Sequence, residues 1–236
     1  MQTSDSCVPN QTIDRALPPR CAWFGVPTVL LQGGTHLAGC LQTVGRCPFA
    51  RFNLRFQSIM IEIRNRIDCL VGDITRERVD AIVNAANTAL RGGGGVDGAI
   101  HRAAGPGLLR ECAERFPDGC QAGEACLTSG HDLDASFVVH TPGPVYYGGM
   151  NGEPELLAKC YRNSLRAAAE AGCKTVAFPA ISCGIYNYPV VDAARIALST
   201  VAEGLAEFAS LEHARFVLFN EATHAVFEAT HRRLRL

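Results

Sequence analysis

The chain has 236 residues, a hydrophobic fraction of 47% and a formal net charge of −1. That length supports one sizeable domain with a real core, or one domain with an appendage. The near-neutral charge removes the electrostatic case for nucleic acid or an anionic membrane as partner.

Residues 1–59 show no helical or strand period and mix Pro, Gly, Cys and Gln without a repeat. Five Arg stand there against Asp5 and Asp14, a net +3, so the remainder carries −4. This segment is expected to be a poorly ordered or dispensable extension, with Met60 as an alternative start; a small extra subdomain is the other reading. The apolar stretch Ala22–Leu31 is interrupted by Pro27 and lacks a positively charged start, so it does not read as a signal peptide. His36, Cys40 and Cys47 fit no common zinc spacing, and no metal is expected. The eleven cysteines are odd in number and include no C-x-x-C pair, which points to reduced thiols and a cytoplasmic location. No apolar run reaches the roughly 18 residues of a membrane span.

From Met60 the pattern becomes regular. Met60–Arg64 alternates and predicts a strand; Asp68–Gly72 predicts a second. Val79–Val83 predicts a strand running into the polar segment Asn84-Ala85-Ala86-Asn87. Val96–Ala104 and Leu108–Arg115 read as helices broken at Gly105-Pro106. Phe137–His140 is a predicted strand, Glu153–Ala171 a helix, Thr175–Phe178 a strand and Val190–Phe208 a helix. Arg215–Phe219 and Ala222–Arg233 complete the series as strand and helix. Strands alternating with long helices predict an α/β protein, a three-layer α/β/α sandwich on a largely parallel sheet. Ligands of such sheets bind beyond the carboxyl ends of the strands.

The candidate chemistry lies at those ends. Gly92-Gly93-Gly94-Gly95 leads into a helix, where backbone N–H groups and the helix dipole attract a diphosphate. A flexible linker is the alternative. The loop is neither a P-loop nor a dinucleotide fingerprint, so kinase and dehydrogenase readings have no support. Ser182-Cys183-Gly184-Ile185-Tyr186 forms a second glycine turn, either a matching clamp or an ordinary connection. Asp97 and His101, four residues apart, share a helix face. A carboxylate beside a diphosphate loop suits a general base or water-orienting group; a helix-terminal acid that complements the dipole is the alternative.

These residues resemble the MacroD-type macrodomain family. The matching pieces are Gly72-Asp73-Ile74-Thr75, Val79 to Asn87, Leu90 to Pro106, Gly123-Glu124-Ala125, His140 to Pro144, Cys160 to Leu165 and Ala177 to Ser182. They span about residues 60–236 and say nothing of 1–59. The resemblance implies a macrodomain over 60–236, with a mixed, mostly parallel sheet of about six strands that binds ADP-ribose. It implies that Asp73 accepts from the adenine amino group, that Ile74 lines the base and that Phe219 packs against it. Gly93, Gly94, Gly95 and Val96, with Ser182, Cys183, Gly184, Ile185 and Tyr186, would hold the diphosphate. Asn87 would bind the distal ribose, Asn84 would support the same pocket, Asp97 would place or activate a water, and His101 would stand beside that ribose. Three departures from the family pattern are Cys183 for Thr, Asn187 for Gly and Pro142 for Val. Cys183 as a nucleophile is a weaker reading than Cys183 as a substituted loop position.

The implied activity is hydrolysis of mono-ADP-ribose from acidic side chains of proteins, or deacetylation of O-acetyl-ADP-ribose, with no cofactor. Competing readings are a non-catalytic ADP-ribose reader and a regulatory protein that binds RNA or a ribonuclease. The expected partners are ADP-ribose and ADP-ribosylated proteins or O-acetyl-ADP-ribose, without membrane or nucleic acid, on a monomeric chain.

Overall fold

The computed structural model describes residues 61–233. The expectations for residues 1–59, the boundary at 59/60 and the His36-Cys40-Cys47 spacing lie outside them. The described chain opens in a helical segment, 61–65 (α1), followed by β1 (Ile67–Val71) and a short 3-10 turn, Ile74–Arg76. Then come β2 (Ala81–Ala86), α2 (Gly95–Ala103), α3 (Pro106–Arg115), β3 (Cys126–Ser129) and β4 (Phe137–Pro142). The order ends with α4 (Glu153–Glu170), β5 (Thr175–Phe178), α5 (Val190–Glu207), β6 (His213–Leu218) and α6 (Glu221–Arg233). Among the described residues, no helix is long and apolar enough to cross a membrane.

The six strands form one sheet in the order β1-β6-β5-β2-β4-β3. Every pairing is parallel except β3 with β4. The strands alternate between two cores, as the two-residue period of a pleated strand requires. Ala81 and Val83, Val139, Val176 and Phe178, and Phe216 and Leu218 face the layer that holds α4, α5 and α6. Ile82, Val138, Ala177 and Val217 face α2 and α3 with Ile100, Ala104 and Leu108. Sheet and helices thus make the expected three layers. Proline and glycine mark the helix starts: Gly105, at φ +73°, hands the chain to Pro106 at the first turn of α3.

Two expectations need correction. Residues 61–64 are helical rather than extended. Two positions apart on a helix point to nearly opposite sides, and Ile63 is buried at 3% exposure while Ile61 is 61% exposed. One buried side chain, not an alternating face, decides the segment. The second is β3, which the sequence reading did not anticipate: Cys-Leu-Thr-Ser is short and lacks clean alternation.

Candidate active site

β2 and β5 are neighbours whose connections leave in opposite directions. β2 continues through α2 and α3 toward β3 and β4; β5 continues through α5 to β6. That reversal opens a crevice at their carboxyl ends. A cavity lies there, with about 660 Å³ of atom-free space including its open mouth. Ala85, Ala86 and Asn87 line it from the end of β2, Gly93 to Asp97 from the glycine loop and α2, Gly143 from beyond β4, and Ala180, Ser182, Gly184, Ile185 and Tyr186 from beyond β5. No Lys or Arg is among them.

The cradle is made of backbone. Gly94 caps α2 without any side-chain hydrogen bond, so the first N–H groups of that nine-residue helix are left for an anion. Gly95 stands at φ +59°, and a Cβ there, or at Gly184, would meet no protein atom within 4 Å. Packing therefore does not require these two glycines to lack a side chain; the space they leave is the cavity. Gly98 and Gly143 are different. A Cβ on Gly98 would collide with the carbonyl oxygen of Gly93, and one on Gly143 with the Ser182 hydroxyl. Those glycines let α2 and the β4 end close on the two loops. Across the cavity Ser182 (φ +64°) and Asn187 (φ +54°) adopt the left-handed backbone, which Asn tolerates at little cost.

At one end of the cavity stands a carboxylate between two amides. Asn84 Nδ2 donates to Asp97 Oδ1 at 2.7 Å, and Asn87 Nδ2 donates to Asp97 Oδ2 at 3.2 Å and to the Gly92 carbonyl at 2.7 Å. His101 Nε2 lies 3.4 Å from Asp97 Oδ1, within ion-pair reach but without hydrogen-bond alignment. Asp97 is 4% exposed. Neutral amide donors hold it without placing a Lys or Arg beside the backbone cradle. The side-chain oxygens of Asn84 and Asn87 are buried without a partner among the described residues. A buried acceptor left alone costs about 1–3 kcal/mol, a cost that a bound hydroxyl group would relieve.

The residues expected at the adenine end sit otherwise. Asp73, Ile74 and Phe219 follow the carboxyl ends of β1 and β6 on the same sheet edge, yet none lines the cavity. Asp73 Oδ1 accepts from the Thr75 amide and hydroxyl, Ile74 is packed into the α2-side core, and Phe219 is 91% exposed. Cys183 is also absent from the lining: its N–H bonds Ala180 O and its Sγ turns to Ile181 O at 3.5 Å. Burial pushes that thiol up to about 12, which opposes a nucleophilic role. His101 faces a second, shallower cleft with Arg91, Gly92, Arg102 and Leu109. The sequence reading singled out neither Gly143 nor Ala180, whose positions just beyond β4 and β5 are the only signal for them. It also gave no site role to His140, fully buried beside Asn84 on the neighbouring strand β4.

Known proteins share much of this sequence and its fold. The family model for the Macro domain matches residues 83–197. The macro domain-containing protein CT2219 of Chlorobaculum tepidum is 57% identical over 162 residues, 69% of this chain and 93% of that protein. A Cronobacter sakazakii protein named O-acetyl-ADP-ribose deacetylase is 52% identical over 165 residues, 69% of this chain and 92% of its own. The solved Oceanobacillus iheyensis macrodomain with ADP superposes with a TM-score of 0.66 at 42% identity, covering 70% of this chain and 90% of that one. The Trypanosoma brucei macrodomain in complex with ADP-ribose gives 0.65 at 46% identity, covering 70% and 68%. Sheet order, crevice, cradle and these likenesses converge: the chain belongs to the macro domain family.

Proposed function

We propose that the chain is an ADP-ribose-binding hydrolase that removes mono-ADP-ribose from acidic side chains of proteins, deacetylates O-acetyl-ADP-ribose, or does both. The observation that carries this reading is the Asp97 carboxylate held by Asn84 and Asn87 at the end of a backbone cradle. The cradle suits a diphosphate, and the free Asn87 oxygen suits a hydroxyl of the distal ribose. Each Asp97 oxygen keeps acceptor capacity beyond its amide, enough to orient a water toward the ester on that ribose. Hydrolysis then consumes the water and releases a carboxylic acid and a ribose hydroxyl. The name of the Cronobacter sakazakii relative, and the ADP and ADP-ribose of the two solved macrodomains, support the same substrate class.

The test is release of ADP-ribose from a Glu-linked mono-ADP-ribosylated protein, and of acetate from O-acetyl-ADP-ribose, by the full chain. Asp97→Ala is expected to lower turnover about 10²- to 10⁴-fold, the range of a positioned acid–base group, while calorimetry shows ADP-ribose still bound. Tight binding without release by the wild type would make the protein a reader instead.

A further inference from the structure

Asn84 meets a second buried side chain besides Asp97. In the β2–β4 pairing its register partner is His140, and both side chains point to the α2 side of the sheet, as Ile82 and Val138 do. Asn84 Nδ2 lies 3.1 Å from His140 Nδ1, and His140 Nε2 lies 2.9 Å from Thr128 Oγ1 on β3. Thr128 in turn donates to the Val138 carbonyl at 3.4 Å. All three side chains are essentially without solvent exposure.

We propose that His140 is a positioning residue for this site: a neutral imidazole with its proton on Nε2, it fixes which edge of the Asn84 amide meets Asp97. This rests on the hydrolase reading above. The proposed proton order is the one in which Thr128 keeps its bond to Val138 O. With the Thr128 hydrogen on Val138 O, its oxygen is left to accept from Nε2–H. Nδ1 is then a bare acceptor and calls for an amide N–H. Asn84 therefore turns its NH₂ edge inward, one hydrogen to His140 and the other to Asp97 Oδ1. The reverse tautomer would draw the Asn84 oxygen toward Nδ1–H and set it against the carboxylate, 2.7 Å away. The amide orientation and the histidine tautomer are one choice.

The groups around the ring agree. Cys112 Sγ from α3 is 3.7 Å from Nε2, a weaker second partner whose thiol burial pushes up to about 11. His101 on α2 has its ring centroid 6.1 Å away, Glu111 on α3 acts at longer range, and Asp97 is reached only through Asn84. Burial first, and His101 second, hold the His140 ring down to about 3.

Two measurements on the full chain test the claim. Imidazole ¹⁵N shifts of His140, assigned by their loss in His140→Asn, should show a neutral Nε2–H ring that does not change between about pH 5 and 8. An Nδ1–H ring, or titration inside that window, overturns the proposal. In turnover, His140→Leu should lower kcat about ten- to a hundredfold with KM and ADP-ribose affinity within about threefold. His140→Asn keeps an acceptor near the Nδ1 position and should restore most of kcat. Equal loss in both variants, or affinity and melting temperature falling together with kcat, would mark an ordinary core histidine. Should His140→Leu fail to fold, Thr128→Val carries the test by releasing Nε2: a mixed tautomer and a partial kcat loss are expected, and an unchanged ring overturns the proposal. A wild type that binds ADP-ribose without turnover sinks the hydrolase reading alone, and the tautomer then decides the matter for His140.

Discussion

The two faces of the sheet grow from the same strands and bury opposite kinds of side chain. Toward α4, α5 and α6, Tyr161, Phe178, Phe216 and Phe227 stack with centroids 5.3 to 6.1 Å apart. Toward α2 and α3, at the carboxyl ends of β2 and β4, the same burial encloses Asn84, His140, Thr128 and Asp97. Neighbouring residues divide the work: Val83 and Val139 go to the apolar face, Asn84 and His140 to the polar one. The aromatic face gains dispersion and hydrophobic transfer without directional demands. The polar face gains little net stability from its hydrogen bonds but ties four groups to one orientation.

That division can be broken from either side. Phe178→Ala should have the largest effect, a loss of about 3–5 kcal/mol in denaturant unfolding, with ADP-ribose affinity unchanged in the folded fraction. A variant as stable as wild type would show that the aromatic layer is not where stability resides. Gly184→Ala acts at the site instead. Its Cβ strains no left-handed backbone and meets no protein atom, so stability should move by less than about 0.5 kcal/mol. Because that methyl enters the cavity, ADP-ribose binding should weaken by about 1–3 kcal/mol in calorimetry. Unchanged affinity would place the diphosphate elsewhere.

The smallest effect is local. Glu153, at the start of α4, accepts from the backbone N–H groups of Tyr147, Gly149 and Asn151. Those bonds, with its own N–H, hold the carboxyl at about 2 rather than 4.5. A lowered folded-state pKa means the anchorage is complete above 4.5 and lost as pH falls from there through about 2. Glu153→Gln should speed amide exchange at those three residues at neutral pH while the Asn84–Asp97 end is unmoved. Equal acceleration at both would show that the loop and the site open together.

What the sequence shows of this arrangement follows from range. Asn84, Asn87 and Asp97 lie close together in the chain around a glycine run, yet spacing alone pairs only Asp97 with His101; the grouping with the two asparagines is what the family resemblance implies. The break at Gly105-Pro106, the strand Thr175–Phe178 and the helix start at Val190 are equally local, set by proline, β-branching and apolar period. His140 is 56 residues from Asn84 and meets it only through strand register. Thr128 sits on an edge strand too short to declare itself, and it is that strand which supplies the hydroxyl partner of the histidine. At Met60–Arg64 the period misleads, because five residues of alternation satisfy a strand template while the fold needs only Ile63. Gly143 and Ala180 reach the cavity with little or no side chain, so their residue types carry almost no chemical signal.

Cys183 has a consequence for chemical probes. It lies one residue from two cavity-lining positions, where a covalent fragment would be expected to find it. Burial pushes its thiol up to about 12, which keeps it in the unreactive protonated form at neutral pH. An electrophile that enters the cavity meets glycine backbone, the Asn87 amide, the Asp97 carboxylate, the Ser182 hydroxyl and the Tyr186 phenol, none of them a thiol. Ligands for this pocket therefore gain more from shape against the glycine loop and a hydrogen bond to Asn87 than from a thiol-directed group.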